Sequence, residues 1–261
     1  MTRAKIAAPP LGGAGAGAIC PATNTGANLV PKPGLQTEVS IMRALVLGSS
    51  GGIGAAVCGR LAAAGHEVTG LNRRDHGLEV TDEASIAGTL APLVAPYDLI
   101  LVATGALEID GRAPEKSLRA LDPAALAAQF AVNAMGPVLV LKHALRLMPR
   151  DRPARFAALS ARVGSIGDNR LGGWHSYRAA KAALNQLMHT AAVEVARSHP
   201  QAVVCCLHPG TVATGFTARY VGAHPTVTPE VAADNLLRVL AGLTPAQSGG
   251  FFDWAGQVIP W

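Results

Sequence analysis

Tyr177 and Lys181 are the residues of this sequence whose types and spacing most directly suggest chemistry. They stand four positions apart in the alanine-rich stretch HSYRAAKAAL (175–184), and residues at i and i+4 lie on one face of a helix. A phenol with its ordinary pKa of about 10 is a poor acid or base near neutrality, whereas a neighbouring ammonium favours the ionised form. The pair therefore predicts a tyrosine that exchanges a proton with a ligand.

A glycine-rich turn predicts a site for nucleotide phosphates. In LVLGSSGGIGAAV (45–57) an apolar run leads into a turn, and a helical pattern follows; the turn holds Gly48, Ser50, Gly52, Ile53 and Gly54. Glycines let a pyrophosphate approach the backbone, and the N-terminus of the following helix faces the anion. Because the turn lies between a predicted strand and a predicted helix, we expect it to bind a dinucleotide.

The end of the second predicted strand indicates which dinucleotide this is. NAD-binding domains carry an acidic residue about 20 residues past the glycines, but Asn72 stands at that position and Arg73 and Arg74 follow. A 2′-phosphate would meet guanidinium charge there instead of repulsion. The sequence favours NADP(H), and the alternative is a pair of solvated surface arginines.

Four motifs, taken together, resemble the short-chain dehydrogenase/reductase family between Met42 and Trp261. They are the glycine turn, FAVNAMGP (130–137), SYRAAKAALN (176–185) and HPGTVATGF (208–216). The segments RVGSIGDNRLGGW (162–174) and GGFFDWAGQVIPW (249–261) are similar to small carbonyl reductases related to C-factor proteins. The resemblance implies hydride transfer between NADP(H) and a carbonyl or alcohol.

The resemblance also implies a role for each catalytic residue. Tyr177 would donate the proton to the carbonyl oxygen or remove it from the alcohol. Lys181 would lower the pKa of Tyr177 and bind the nicotinamide ribose, and Asn133 would hold a water that links Lys181 to solvent. The remaining implied cofactor residues are Ala103, Thr104 and Gly105, the adenine clamp Glu79 and Val80, and the turn residues Pro209, Gly210, Val212 and Thr214.

The serine position departs from the family pattern. The family's catalytic hydroxyl usually stands three residues before a glycine, and counting back from Gly164 reaches Ala161. Ser160 is one residue early, and successive strand residues point to opposite faces. We predict Ser160 as the catalytic serine, with Ser165 as the other candidate.

Two functions are compatible with these residues. The expected substrate pocket is largely apolar and suits an uncharged aldehyde or ketone; its residues are Ala106, Leu107, Val163, Trp174, Phe216 and Tyr220. The second hypothesis is a non-catalytic NADP(H)-binding sensor or signalling protein of the C-factor type, because Ala161 replaces the usual serine.

From Met42 onward, apolar strand-like runs alternate with helical patterns. This alternation predicts an α/β domain of the Rossmann type, a doubly wound parallel sheet flanked by helices, over residues 42–261. The predicted strands are RALVLG, EVTGLN, LILVAT, RFAALS, AVVCCLH and GGFFDW. Helical segments at 123–148 and 174–196 are apolar on more than one face, so we expect a homodimer or homotetramer.

Composition and residue spacing indicate which partners and which location to expect. Residues 1–41 are rich in Gly and Pro and hold no aromatic residue, which predicts a disordered tail. The 22 Lys and Arg residues are scattered despite a net charge of +5, so we expect no nucleic-acid partner. The 4 cysteines lack metal-site spacing, and no continuous apolar run is long enough to span a bilayer. We therefore expect a cytoplasmic protein with no metal and no membrane segment.

Overall fold

A single parallel sheet organises the chain, as a computed structural model shows for residues 41–220 and 225–261. The predicted tail, residues 1–41, lies outside the described residues except for Ile41. The sheet order is β2-β1-β3-β4-β5-β6, and every neighbouring pair is parallel. The strands are β1 Arg43–Leu47, β2 Glu67–Leu71, β3 Leu99–Val102, β4 Ala154–Leu159, β5 Ala202–His208 and β6 Phe251–Asp253. All six predicted strands and the predicted fold class are therefore confirmed.

Helices follow the strands in the alternating order that the sequence predicts. They are α1 Gly52–Ala63, α2 Arg73–His76, α3 Glu83–Leu90, α4 Pro123–Phe130, α5 Gly136–Ala144, α6 His175–Val195 and α7 Pro229–Gly242. Short 3₁₀ turns occupy Leu118–Ala120, Leu145–Leu147, Arg162–Gly164 and Pro245–Gln247. The caps are the expected ones: the side chains of Asp122 and Thr228 accept hydrogen bonds from the backbone N–H groups of Ala125 and Val231.

The sheet is covered on both faces, because alternate residues of each strand point to opposite sides. In β1, Leu45 and Leu47 belong to one apolar core, and Ala44 and Val46 belong to the other. The first core also contains residues of α3, α5 and α6, and the second contains residues of α1 and α7. This is the arrangement expected of strands that read as continuous apolar runs.

The strand order places a crevice at the carboxyl edge of the sheet. The chain passes from β1 to β2 on one side and then to β3 on the other side of β1. In doubly wound sheets, ligands bind at such a switch point, outside the carboxyl ends of the strands. The residues that follow β1, β3, β4 and β5 therefore converge on one edge, and these include the predicted site residues.

One expectation about helices needs correction. The helical stretch Pro123–Leu147, which runs from α4 through a π turn to the 3₁₀ turn after α5, is 25 residues long and contains an 18-residue window with a mean hydropathy of 1.7. By length and composition it would suffice to cross a membrane, so the sequence-based exclusion of such a helix was too strict. Val140, Leu141, Ala144 and Leu147 of this stretch lie in the apolar core, and the core helices of soluble proteins meet the same criterion.

Candidate active site

Helix α6 buries the tyrosine–lysine pair at the carboxyl end of β4. Tyr177 is 5% exposed and Lys181 is 3% exposed. The Lys181 ammonium lies 5.8 Å from the centroid of the Tyr177 ring, and it donates a hydrogen bond of 2.8 Å to the Leu159 carbonyl. The two side chains thus share one environment, as their spacing predicts.

Burial changes the acidity of both groups. It raises the pKa of the Tyr177 phenol above its ordinary value, and it lowers the pKa of Lys181 to about 8. The expected lowering of the tyrosine pKa by Lys181 is therefore wrong for this structure, because desolvation of the phenolate is the dominant effect. At neutral pH the phenol is therefore protonated.

Asn133 lies at an irregularity that interrupts the α4–α5 helix. Residues Ala131–Met135 form a π turn, a feature that is frequent at functional sites. The Asn133 side-chain oxygen accepts from the N–H of Ala106 (3.2 Å), and its amide donates to the Ala106 carbonyl (2.8 Å). A Cβ atom at Gly105 would lie 3.0 Å from Asn133 Oδ1 and 3.6 Å from Lys181 Nζ. Asn133, Lys181 and the loop after β3 therefore meet at Gly105.

The two candidate serines make other hydrogen bonds. The buried Ser160 hydroxyl donates to Oδ1 of Asn185 at 2.7 Å, within the packing between β4 and α6. The Ser165 hydroxyl donates to the Pro260 carbonyl at 2.5 Å, near the C-terminus. Both hydroxyls therefore bond to the protein itself, Ala161 has no hydroxyl, and the catalytic serine stays a prediction.

The glycine turn has the close backbone approaches that a dinucleotide loop needs. Gly48 adopts a φ of +89°, and a Cβ atom at Gly54 would lie only 2.2 Å from the Gly48 carbonyl oxygen. A Cβ atom at Gly52 would lie 2.7 Å from the Thr214 methyl group. Ser50 is exposed, and Ile53 packs against the second core. The loop after β5 thus closes directly over the glycine turn.

The end of β2 presents its arginines to solvent beside this turn. Asn72 is buried, caps α2, and donates a long hydrogen bond of 3.4 Å to the Ser49 hydroxyl. The Arg73 side chain is 80% exposed and lies 3.4 Å from the Glu79 carboxylate. Val80, the other clamp residue, lies against the start of α5 at Gly136. This end of the crevice fits a phosphate group, since Arg73 remains accessible.

The opposite end of the crevice lies between the loops after β3 and β5. Gly210 has a φ of +82°, and a Cβ atom there would lie 3.1 Å from the Trp254 ring. Val212 is 2% exposed. Next to Gly105, the Thr104 hydroxyl is buried and has no hydrogen-bond partner among the described residues. An orphaned hydroxyl beside a glycine cradle fits a bound polar cofactor. Ala103 and Pro209 complete these two loops.

A cavity of about 480 Å³ opens at this end. Its walls come from the segments after β3 and β5, namely Gly105, Ala106, Leu107, Glu108, Gly215, Phe216, Arg219 and Tyr220. The pocket therefore carries an ion pair between Arg219 and Glu108 (3.1 Å) as well as apolar groups. The expectation of a largely apolar lining needs this correction, and neither Val163 nor Trp174 is among the lining residues.

Comparison with known proteins agrees with this geometry. The family model of short chain dehydrogenases matches residues 42–223. The chain belongs to the short-chain dehydrogenase family. It is therefore an oxidoreductase by family.

Two relatives and one solved structure are similar to this short-chain dehydrogenase. The 1-hydroxy-2-glutathionyl-2-methyl-3-butene dehydrogenase of Rhodococcus sp. (strain AD45) is 31% identical over 204 residues, which are 77% of this chain and 83% of the relative. The C-signal protein of Myxococcus xanthus is 34% identical over 142 residues, 54% of this chain and 81% of the relative. The NADPH-bound carbonyl reductase from chicken fatty liver has the same fold, with a TM-score of 0.73, 24% identity, and coverage of 85% of this chain and 99% of that one.

Three polar residues of this dehydrogenase's site escaped the sequence analysis. Gln129 is buried, accepts from the Asn133 amide at 2.7 Å and donates to the Leu107 carbonyl. Buried Glu115 accepts hydrogen bonds from the Ser176 N–H (3.1 Å) and the Ser176 hydroxyl at the start of α6. Glu108 accepts from the Tyr220 hydroxyl. Only the i to i+4 spacing of Gln129 and Asn133 was visible as a sequence signal.

Proposed function

We propose that this protein is an NADP(H)-dependent carbonyl reductase that acts on an uncharged aldehyde or ketone, or on the corresponding alcohol. The observation that carries the proposal is the meeting of Lys181 and Asn133 at Gly105, with the Tyr177 ring centroid 5.8 Å from the Lys181 ammonium. The NADPH- and NADP-bound structures with this fold support the choice of coenzyme, as does the accessible Arg73 at the end of β2.

Each of these residues has its own role in the proposed reaction. Bound NADPH supplies the hydride to the carbonyl carbon. Tyr177 donates its phenolic proton to the carbonyl oxygen, and its raised pKa keeps that proton in place at neutral pH. Lys181 provides positive charge beside the developing tyrosinate, and Asn133 holds the loop after β3 in position. In our proposal Asn133 also supports the water that links Lys181 to solvent.

The test is a spectrophotometric screen of aldehydes and ketones with NADPH and NADH side by side. We expect NADPH oxidation with neutral carbonyl compounds and at least a tenfold lower kcat/KM with NADH. Equal rates with the two coenzymes would contradict the coenzyme assignment, and no turnover over a broad panel would contradict the enzyme assignment.

Arg73→Ala is expected to raise the KM for NADPH about tenfold and to leave the KM for NADH unchanged. The guanidinium is the charge placed to bind the 2′-phosphate, and NADH lacks that group. Steady-state kinetics with both coenzymes measure the effect. Arg152→Ala is the matched control, because Arg152 is an exposed arginine paired with Asp98 at the opposite, amino-terminal edge of the sheet. A parallel loss with both coenzymes would argue against the 2′-phosphate contact.

A serine at position 161 is expected to increase turnover. Ala161→Ser restores a hydroxyl at the position where the family carries one, so we expect kcat to rise about tenfold through an added hydrogen bond to the reacting oxygen.

Ser160→Ala should instead lower the free energy of unfolding by about 1–2 kcal/mol, since it leaves buried Asn185 without its donor. Its kcat should stay within about twofold. The opposite pattern would assign catalysis to Ser160.

A second function is favoured by one observation. Ala161 stands at the serine position, and the chain is similar to a C-signal protein, so a non-catalytic NADP(H)-binding sensor is the alternative. It predicts saturable NADPH binding by fluorescence titration and no turnover in the carbonyl screen. Robust catalysis would eliminate it.

Self-association is a further part of the proposal. Met135 before α5 and Leu187 and Val193 on α6 are exposed apolar residues, which supports a homodimer or homotetramer built on these helices. Sedimentation as a monomer at micromolar concentration would contradict it. A cytoplasmic location, and the absence of nucleic-acid, membrane and metal partners, stay predictions.

A further inference from the structure

Aromatic side chains are concentrated at one place in this protein. The chain has only 3 Trp, 3 Tyr and 5 Phe residues, and three of them are grouped with a fourth, the proposed proton donor Tyr177. Trp174 packs edge-on against Tyr177, with ring centroids 6.2 Å apart, and against Tyr220, with centroids 5.5 Å apart. The ring centroid of Phe216 lies 6.3 Å from that of Tyr177. We call Trp174, Phe216 and Tyr220 the aromatic wall.

Two residues of the aromatic wall face the cavity, and Trp174 packs behind Tyr220. Phe216 and Tyr220 line the cavity, and Phe216 is 40% exposed. By contrast, Phe156, Phe251 and Phe252 are at most 2% exposed. An aromatic ring left accessible beside the proton donor is available for contact with a ligand.

Hydrogen bonds to the Glu115 backbone and to the Glu108 carboxylate hold the wall in place. Trp174 has a left-handed backbone, with φ 51° and ψ 42°, and its N–H donates to the Glu115 carbonyl at 2.5 Å. The Tyr220 hydroxyl donates to the Glu108 carboxylate, which also pairs with Arg219. A left-handed backbone at a non-glycine residue persists only where its surroundings determine it. The wall is therefore formed before a ligand arrives, which reduces the ordering cost of binding.

We propose that the aromatic wall selects carbonyl compounds in which the carbonyl is attached to a flat aromatic ring, in preference to a saturated ring of the same size. This inference rests on the proposed function. Aromatic rings attract one another in edge-to-face and offset arrangements at centroid separations of about 4.5–7 Å, and the wall presents rings at these angles. A saturated ring is thicker and lacks the quadrupole. Glu108, which also lines the cavity, acts as a positioning residue for the wall, because its carboxylate accepts the hydrogen bond of the Tyr220 hydroxyl.

The test compares benzaldehyde with cyclohexanecarbaldehyde, whose rings have the same number of carbon atoms. The quantity measured is the ratio of their kcat/KM values in each variant, divided by the ratio in the wild type, so that the intrinsic reactivity of the aldehydes cancels. We expect Trp174→Leu and Phe216→Leu each to lower this ratio about fivefold. Trp174→Phe should keep it within about twofold. Trp261→Leu is the matched control, because that exposed ring packs on Phe251 and His189 instead.

Glu108 variants test the positioning role. Glu108→Ala should lower the same ratio about threefold, and Glu108→Gln should restore most of it, since an amide oxygen still accepts from Tyr220. An unchanged ratio in both Trp174→Leu and Phe216→Leu, with an active wild type, would overturn the inference alone. A wild type that reduces no carbonyl compound at all would overturn the proposed function and the inference with it.

Discussion

Tyr177→Phe is expected to lower kcat/KM for carbonyl reduction about a thousandfold, while the dissociation constant for NADPH changes less than twofold. The substitution removes one oxygen and keeps the ring, so the contacts with Trp174 and Phe216 persist. A positioned general acid contributes roughly 10²–10⁴-fold to a rate, and Tyr177 is the side chain that we propose for this role. Steady-state kinetics and fluorescence titration of NADPH measure the two quantities.

Tyr97→Phe is the matched control for this experiment. Tyr97 is also buried, at 3% exposed, and its hydroxyl bonds to Thr69 on β2 at 3.1 Å. This variant removes a buried phenolic oxygen elsewhere in the fold, so kcat/KM should remain within about twofold of the wild type. If Tyr177→Phe retained turnover comparable to this control, Tyr177 would not be the proton donor.

Lys181→Met is expected to abolish turnover and to raise the free energy of unfolding by about 2 kcal/mol at pH 7. The pKa of Lys181 falls from 10.5 to about 8 because the ammonium is buried, so its charge opposes folding below that pH. A shift of this size corresponds to about 3 kcal/mol. Loss of the hydrogen bond to the Leu159 carbonyl offsets about 1 kcal/mol of it.

The stability difference between Lys181→Met and the wild type depends on pH. Between about pH 8 and pH 10.5 the unfolded chain holds the proton on Lys181 and the folded chain does not, so this group makes the wild type more stable as the pH rises. The advantage of Lys181→Met should therefore be largest below pH 8 and shrink toward pH 10. Urea unfolding at pH 7 and pH 9.5 measures it. Lys142→Met, an exposed lysine paired with Glu83, serves as the control and should change stability by less than about 1 kcal/mol. A destabilised Lys181→Met would show that the ammonium supports the fold.

The local pattern of the sequence was sufficient to predict the framework. Strands β1, β3, β4 and β5 are almost wholly buried and read as apolar runs, whereas the edge strand β2 is only partly buried. A proline after Asp122 and after Thr228 marked two helix starts. Gly48 and Gly54 could be identified in advance because the close approach between them tolerates no side chain. The i to i+4 spacing of Tyr177 and Lys181 similarly brought them to one helical face.

The long helical segment predicted at 123–148 contains an irregularity that the local sequence pattern did not predict. It is interrupted by the π turn at Ala131–Met135, and periodicity alone does not reveal such an irregularity. Ser160 is a second case, since its hydroxyl meets Asn185 only because β4 packs against α6. The pairing of Glu108 with Arg219 and Tyr220 joins residues more than 100 positions apart.

The amino-acid sequence alone determined the parallel fold through its alternation of apolar strands and helical segments. It also determined the glycine turn, the tyrosine–lysine pair and the arginines at the end of β2, because each of these depends on neighbours within one turn or one strand. Tertiary structure alone decided the acidity of Tyr177 and Lys181, the partners of Ser160 and Ser165, and the charged and aromatic lining of the cavity. These properties depend on burial and on contacts between distant segments. Desolvation and long-range contacts arise only when the chain has folded.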